Sequence, residues 1–200
     1  LRSLYFWINV TDENFPAVAL IQNEVPRHPV RVYQGDGIGV FTAEIQFEKE
    51  QDIAFGSTVL EWFRVGGFDQ LIIIDGILKP EKQIQGEGLF AVGANASARE
   101  RLKSLDLQTI QRGIVSGITG FLLSEGDRLN LDITALLSEA SPMYPDVRAA
   151  AVAIEAITEM TGKEIPLSAM LENARSIEQS VQEIIESATP LLPSPDDDDT

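Results

Sequence analysis

A carboxylate at the end of an apolar run and a glycine-rich segment are the parts of this sequence with the clearest potential for chemistry. Asp75 follows the apolar run at residues 71–74 and precedes Gly76. Because ligands of open α/β sheets bind beyond the carboxyl ends of the strands, Asp75 is a candidate base or metal ligand. The alternative interpretation is structural, with the acid capping the next turn or pairing with a lysine or arginine.

Three glycines, Gly113, Gly117 and Gly120, lie at i, i+4 and i+7 in the apolar segment 113–123. At helical spacing they share one face, and each costs about 1 kcal/mol against alanine in a helix interior. A close backbone, a bound ligand or a turn with positive φ would offset that cost. A phosphate cradle is the functional interpretation, although the segment lacks both the nucleotide and the dinucleotide glycine patterns. We favour close packing on a sheet or a neighbouring subunit.

Other catalytic arrangements have no support in the residue types. The sequence has no cysteine, which removes disulfides, thiolate nucleophiles and cysteine-ligated metals. His28 is the only histidine, and no Gly-x-Ser-x-Gly elbow supplies a serine for a triad with it. A single histidine without cysteine also argues against a zinc site. We therefore predict no catalytic residue, no metal site and no cofactor.

The charge balance limits the classes of partner. The 200 residues carry 31 acids and 15 bases, a formal net charge of −16. Such a surface repels nucleic-acid phosphates and anionic lipids, so we expect neither nucleic acid nor membrane as a partner. No secretory signal pattern and no run of 18 apolar residues occur, which predicts a cytoplasmic protein.

Alternating strand and helix patterns predict the elements that position these residues. The predicted strands cover 30–34, 37–41, 71–76, 89–92 and 131–138. The predicted helices cover 53–65, 116–125, 145–161 and 166–188, with a shorter one that ends at Ser104 and is capped by Asn95 or Ser97. An uninterrupted apolar run after a helix is typical of a buried parallel strand, as at 71–76. We therefore predict an α/β fold with a mostly parallel sheet flanked by helices.

The last predicted helix offers a surface for a partner. Its apolar residues step by four and three, which indicates packing on the preceding helix or docking of another chain. The side chains predicted away from that stripe are Arg175, Glu178, Gln182 and Glu186. We predict an α/β core at 1–141, C-terminal helices at 142–188 and a disordered acidic tail at 189–200.

The order of these segments carries a family resemblance. The glycine segment 113–123 is followed by Leu-Leu-Ser-Glu-Ala at 136–140 and by Pro-Met-Tyr-Pro-Asp-Val-Arg-Ala-Ala at 142–150, before a two-helix ending. This arrangement resembles the proteasome assembly chaperone 2 family, as an archaeal-type member. The resemblance implies a phosphorylase-like core with a C-terminal helical pair and a non-enzymatic adaptor or assembly chaperone. It also implies homo-oligomers, and proteasome core subunits as partners.

The sequence departs from the family pattern in two respects, and one alternative function stays open. The family's opening strand with a Leu-Pro-Gly-x-Gly type of turn has no match, so we expect the core to lack its first strand and turn. The chain ends in Asp-Asp-Asp-Thr rather than in hydrophobic-Tyr-any residue, which puts docking by such a tail in doubt. The alternative function is a nucleotide- or phosphate-binding enzyme of ligase or phosphorylase-like type, with its ligand near Asp75 and the glycine segment.

Overall fold

The computed structural model describes residues 2–4, 18–35, 37–45, 47–78, 88–140, 146–168 and 171–172. The strands of these residues are β1 (Arg2–Leu4), β2 (Leu20–Gln22), β3 (Val25–Arg27), β4 (Val30–Gly35), β5 (Ile38–Ala43), β6 (Leu71–Leu78), β7 (Leu89–Gly93) and β8 (Ile133–Ala140). The α-helices are α1 (Asp52–Val65), α2 (Ala96–Ser104), α3 (Gly117–Leu129) and α4 (Val147–Thr161). The chain divides into two compact units, of which unit 1 comprises Leu1–Leu71 with Arg112–Ile133 and unit 2 comprises Ile72–Gln111 with Thr134–Thr200.

Unit 1 contains a hairpin, which the predicted strands 30–34 and 37–41 and the Gly-Asp-Gly sequence at 35–37 indicate. β4 and β5 pair antiparallel from Val30↔Ala43 to Gly35↔Ile38, and β1 pairs with the other side of β4. Gly37 has φ of 73°, a backbone conformation that glycine adopts without steric cost. The tight connection and the β-branched residues on both sides of it therefore confirm the hairpin predicted around residues 35–37.

Helix α1 also follows its sequence pattern. Its buried side chains include Phe55, Val59 and Phe63, which recur every four residues and form one apolar stripe. The ring of Phe55 meets that of Phe41 from β5 edge to face, with centroids 5.3 Å apart. The helix ends at Val65, directly before Gly66 and Gly67, and this end agrees with the predicted range 53–65.

Unit 2 contains the sheet β6-β8-β7, whose strands run in both directions. β7 and β8 pair antiparallel from Leu89↔Ser138 to Gly93↔Thr134. β6 and β8 run in the same direction, because the Leu71 amide donates to the Asp132 carbonyl at one end and Gly76 lies beside Ala140 near the other. The sheet is mixed, so the prediction of a mostly parallel sheet is wrong.

The reversal occurs late in the connection from β7 to β8. After α2 the chain makes a parallel bridge between Thr109 and Ala91 of β7, as expected for a strand–helix–strand unit. Only the following segment, which contains α3, returns the chain as an antiparallel neighbour of β7. The alternation of strand and helix patterns does not encode that change of direction, because both directions give the same order of elements.

One core cluster joins the helices of unit 2 to its sheet. Ala91, Leu102, Leu136 and Ala156 are buried together, and Ile72 of β6 packs against them. We call these four residues the helix–sheet cluster. Asn95 starts α2 by accepting the Ala98 amide at 2.8 Å, and Asp146 starts α4 by accepting that of Ala149 at 3.1 Å.

Strand β6 is less buried than its apolar sequence predicts. It lies at one edge of the described sheet, and its Ile74 and Leu78 are 50% and 75% exposed. β8, by contrast, lies between two neighbours and is buried from Ile133 to Glu139. The prediction of a buried strand at 71–76 is therefore wrong in burial, because hydrophobicity does not distinguish a central strand from an edge strand.

Candidate functional site

Asp75 lies within β6 rather than at its end, since the strand continues to Leu78. Its side chain is exposed, and Oδ1 accepts a hydrogen bond from the Gly76 amide at 2.8 Å. This local bond agrees with the structural interpretation of the residue. A ligand role for Asp75 stays a prediction.

The glycine segment does not form one helical face. α3 begins at Gly117, so Gly113 precedes the helix in an exposed stretch. Gly117 has φ of 69°, which a residue with a side chain rarely adopts. A Cβ at Gly120 would lie 2.3 Å from the carbonyl oxygen of Val115. A turn with positive φ and a close backbone therefore explain two of the three glycines, and the ligand role of all three stays a prediction.

Asp75 and the glycine segment belong to different units. Asp75 is part of unit 2, whereas Gly113, Gly117 and Gly120 are part of unit 1. Each unit therefore has to be considered as a possible binding surface in its own right. The four partner-contact candidates Arg175, Glu178, Gln182 and Glu186 lie outside the described residues.

In unit 1, α1 and α3 form an open groove of about 530 Å³. Gly56 has no side chain, and a Cβ there would lie 2.5 Å from Cδ1 of Phe121. The ring of Phe121 can therefore lie directly against α1, and it forms part of the groove together with Leu60. Arg64 and Glu125 line the same groove, so it has both apolar and charged groups in its lining. Such a surface suits contact with another polypeptide better than enclosure of a small molecule.

Glu125 forms a bidentate ion pair with Arg128 on α3. Arg128 donates from Nε to Oε1 at 3.0 Å and from Nη2 to Oε2 at 2.5 Å. Hydrogen bonding by Arg128, aided by its charge, holds the pKa of Glu125 below its ordinary value despite some desolvation. The pair is exposed, so its effect on folding is small.

We expect Arg128→Ala to raise the pKa of Glu125 toward its ordinary value, because the hydrogen bonds and the charge of Arg128 are what lower it. A carboxyl whose folded-state pKa is depressed stabilises the fold above the unfolded-state pKa, and that contribution is lost as pH falls through the folded-state pKa. A ¹³C NMR titration of the Glu125 carboxyl measures the change. Arg128→Lys serves as the matched control, because it keeps the positive charge and loses the paired guanidinium hydrogen bonds. An unchanged pKa of Glu125 in Arg128→Ala would contradict a role for the ion pair in lowering that pKa.

Glu139 is the residue of greatest interest that the sequence analysis did not select. It is the second-last residue of β8 and is only 7% exposed. Its amide donates to the carbonyl oxygen of Gly88 at 2.8 Å, and a Cβ at Gly88 would lie 2.6 Å from Glu139 Oε2. The carboxylate therefore lies directly over Gly88. The signal is present in the sequence, because Glu139 directly follows the predicted strand 131–138.

Within the part of the chain that the structure describes, no group of three or more histidine, cysteine, aspartate or glutamate side chains is placed to hold a metal ion. None of the helices described is both long enough and apolar enough to cross a bilayer.

Comparison with known proteins gives one family match. The sequence model of the PAC2 family matches residues 8–185. A similar chain is an uncharacterized protein of Methanocaldococcus jannaschii, which is 23% identical over 201 residues. That alignment covers 96% of this chain and 78% of the relative.

Two solved structures from Pyrococcus furiosus share the fold. PbaA, described as an archaeal homolog of proteasome-assembly chaperone, superposes with a TM-score of 0.78 at 23% identity, over 88% of this chain and 74% of PbaA. PbaB, described as an archaeal proteasome activator, superposes with a TM-score of 0.67 at 21% identity, over 85% of this chain and 78% of PbaB.

Proposed function

The chain belongs to the PAC2 family, and on that premise we propose that it is a non-enzymatic adaptor or assembly chaperone for proteasome core subunits. The observation that carries the proposal is the family match over residues 8–185. The descriptions of PbaA and PbaB, which name a proteasome-assembly chaperone homolog and a proteasome activator, support the same partner class. This is the function that the resemblance in the sequence implied.

The proposal includes the finer features that the resemblance implied. We propose a homo-oligomer in the cytoplasm, a phosphorylase-like core and a C-terminal helical pair. Arg175, Glu178, Gln182 and Glu186 are proposed as contacts to the partner. Neither the described residues nor the comparisons contain an observation that favours the nucleotide- or phosphate-binding enzyme.

The charge of the chain agrees with a role in protein association. A net charge of −16 steers basic surfaces of a partner toward the protein and opposes approach of polyanions. The open α1–α3 groove adds exposed apolar area beside charged groups, which is the usual composition of a protein interface.

Native mass spectrometry of the full chain, alone and with proteasome core subunits from the same organism, tests the proposal. We expect a homo-oligomer that takes up core subunits. A Glu178→Lys, Glu186→Lys double variant should weaken that complex, because like charges then face a basic partner. Glu100→Lys, at an exposed position of α2, is the charge-matched control for each of the two single variants. A monomer that binds no subunit would contradict the proposal.

A further inference from the structure

Ile114 is a large apolar side chain that the fold holds in solvent. It is 96% exposed, in the stretch that connects residue 111 to α3. A single exposed apolar residue is common on protein surfaces, so its exposure alone says little. At Ile114, however, the backbone that follows is fixed, because the Gly120 amide donates to the Ser116 carbonyl oxygen at 3.3 Å and Gly117 has φ of 69°. The side chain is therefore positioned in the free protein, which lowers the entropy cost of binding through it.

Arg112 gives the same stretch a positive charge. Its side chain is exposed, and it forms no ion pair or hydrogen bond with the residues that the structure describes. A buried apolar anchor beside an arginine is a combination that carries much of the binding energy at protein interfaces. We call residues 112–114 the exposed loop.

The α1–α3 groove lies further along the helix that this loop begins. Gly117, the first residue of α3, lies beside Asp52, the first residue of α1, and Phe121 lies against Gly56 one turn later. The two helices therefore run in the same direction. The groove is lined by α1 residues between 57 and 65, toward the end of that helix, and the exposed loop is not part of its lining. The loop of the same copy therefore leaves the groove open.

The groove and the exposed loop are complementary in polarity and charge. The lining combines three apolar side chains with two acids and one base, a net charge of −1: Leu60, Val65, Phe121, Glu61, Glu125 and Arg64. Glu125 is already bound by Arg128, whereas Glu61 is exposed and has no ion pair with a described residue. Glu61 is therefore the acid that remains for an incoming cation, beside apolar area that suits an isoleucine.

We propose that Ile114 of one copy of the chain inserts into the α1–α3 groove of a second copy, with Arg112 beside Glu61. Two chains of net charge −16 repel each other, so a contact between copies requires a cation from one of them at its centre. The loop and the groove are different patches, which makes the contact head-to-tail, and every copy offers both. The inference rests on the proposed function in taking the protein to be a homo-oligomer, and it identifies the surfaces that join the copies.

The absence of cysteine from the sequence permits a direct test by disulfide cross-linking. A chain with Gly113→Cys is mixed with a tagged chain with Val65→Cys and oxidised, so any disulfide joins two copies. We expect mixed dimers in excess of either homodimer, because the loop of one copy lies at the groove of the other. Ile21→Cys, at another exposed apolar position, replaces Gly113→Cys in the control and should give no such excess. Homodimers in excess of mixed dimers would overturn the proposal.

Charge reversal is the second test, with self-association measured by sedimentation velocity. Arg112→Glu should weaken association by about tenfold or more, and Glu61→Arg in the same chain should restore it. Ile114→Ser should also weaken association by about tenfold or more, because apolar burial is lost. The controls are Lys103→Glu, at an exposed charge of α2, and Ile21→Ser, and both should associate like the wild type.

A wild-type monomer would overturn the inference, as would normal association of Arg112→Glu or Ile114→Ser, or no rescue by Glu61→Arg. Uptake of core subunits is measured separately. If the loop variants assemble normally and the wild type takes up core subunits, this inference fails and the proposed function stands. If the loop variants lose assembly and the wild type ignores core subunits, the interface stands and the proposed function fails.

Discussion

Replacing Gly120 by alanine is expected to lower the free energy of unfolding by about 1–2 kcal/mol. The new Cβ would lie 2.3 Å from the carbonyl oxygen of Val115, far inside van der Waals contact. A backbone oxygen cannot rotate away, so the start of α3 must shift, and overpacking of this kind typically costs about 1–3 kcal/mol or more. That cost exceeds the gain of about 1 kcal/mol that alanine brings to a helix. Urea denaturation measures the difference.

The other two glycines of the segment are the matched controls. Gly117→Ala should cost about 1–2 kcal/mol, because its φ of 69° strains any residue with a side chain. Gly113→Ala should change stability by less than about 0.5 kcal/mol, because Gly113 is exposed, precedes α3 and has no positive φ. If Gly120→Ala proved as harmless as Gly113→Ala, the close approach of Val115 would not be the reason for that glycine.

Leu136→Ala is expected to lower the free energy of unfolding by about 3–4 kcal/mol. Leu136 is fully buried at the centre of β8 and belongs to the helix–sheet cluster with residues of β7, α2 and α4. Truncation loses the transfer free energy of the side chain and leaves a cavity, which together cost about 2–5 kcal/mol in other proteins. Neighbours on three elements limit how far the site can collapse, which supports the upper half of that range.

Leu78→Ala is the control for this substitution. Leu78 is 75% exposed on the edge strand β6, so the same chemical change should cost less than about 1 kcal/mol. Thermal and urea unfolding of both variants measure the contrast. Comparable destabilisation by the two variants would show that Leu78 is covered in solution and that β6 is not an edge strand.

The ends of the helices were predictable because their signals are local. Asn95 and Asp146 cap α2 and α4 through side-chain oxygens, and Gly162 ends α4 with φ of 66°. Each of these residues acts on a backbone group within four positions of itself, so the sequence neighbourhood contains the whole interaction. The hairpin around Gly37 is predictable for the same reason.

The buried face of α4 was predicted less well. The helical spacing of its apolar residues in the sequence predicts a buried face of Val147, Ala150, Ala151, Ile154 and Ile157, whereas the buried residues are Ala149, Ala151, Ala153 and Ala156. The buried residues of the helix are small alanines. The larger Ile157 is only partly buried, at the edge of the helix–sheet cluster. Hydrophobicity alone favours the large residues, because it contains no information about how near the neighbouring element lies.

The candidate site residues also differ in whether the sequence reveals them. Asp75 and the three glycines can be selected from the sequence, because their residue types are unusual in apolar runs. The contacts of Gly56 with Phe121 and of Gly88 with Glu139 cannot be predicted from the sequence, because each joins residues more than 50 positions apart. Such pairs exist only once the helices and strands are packed.

The sequence by itself determined the family, the order of the elements and most of their ends, because these depend on residue pattern and on local hydrogen bonds. Only the tertiary structure decided that the sheet of unit 2 is mixed, that β6 lies at the edge of its described strands and that Glu139 rather than Asp75 is the buried acid. Burial is a property of a residue's neighbours in space. Two acids that follow similar apolar runs therefore differ because one lies on a central strand and the other on an edge strand.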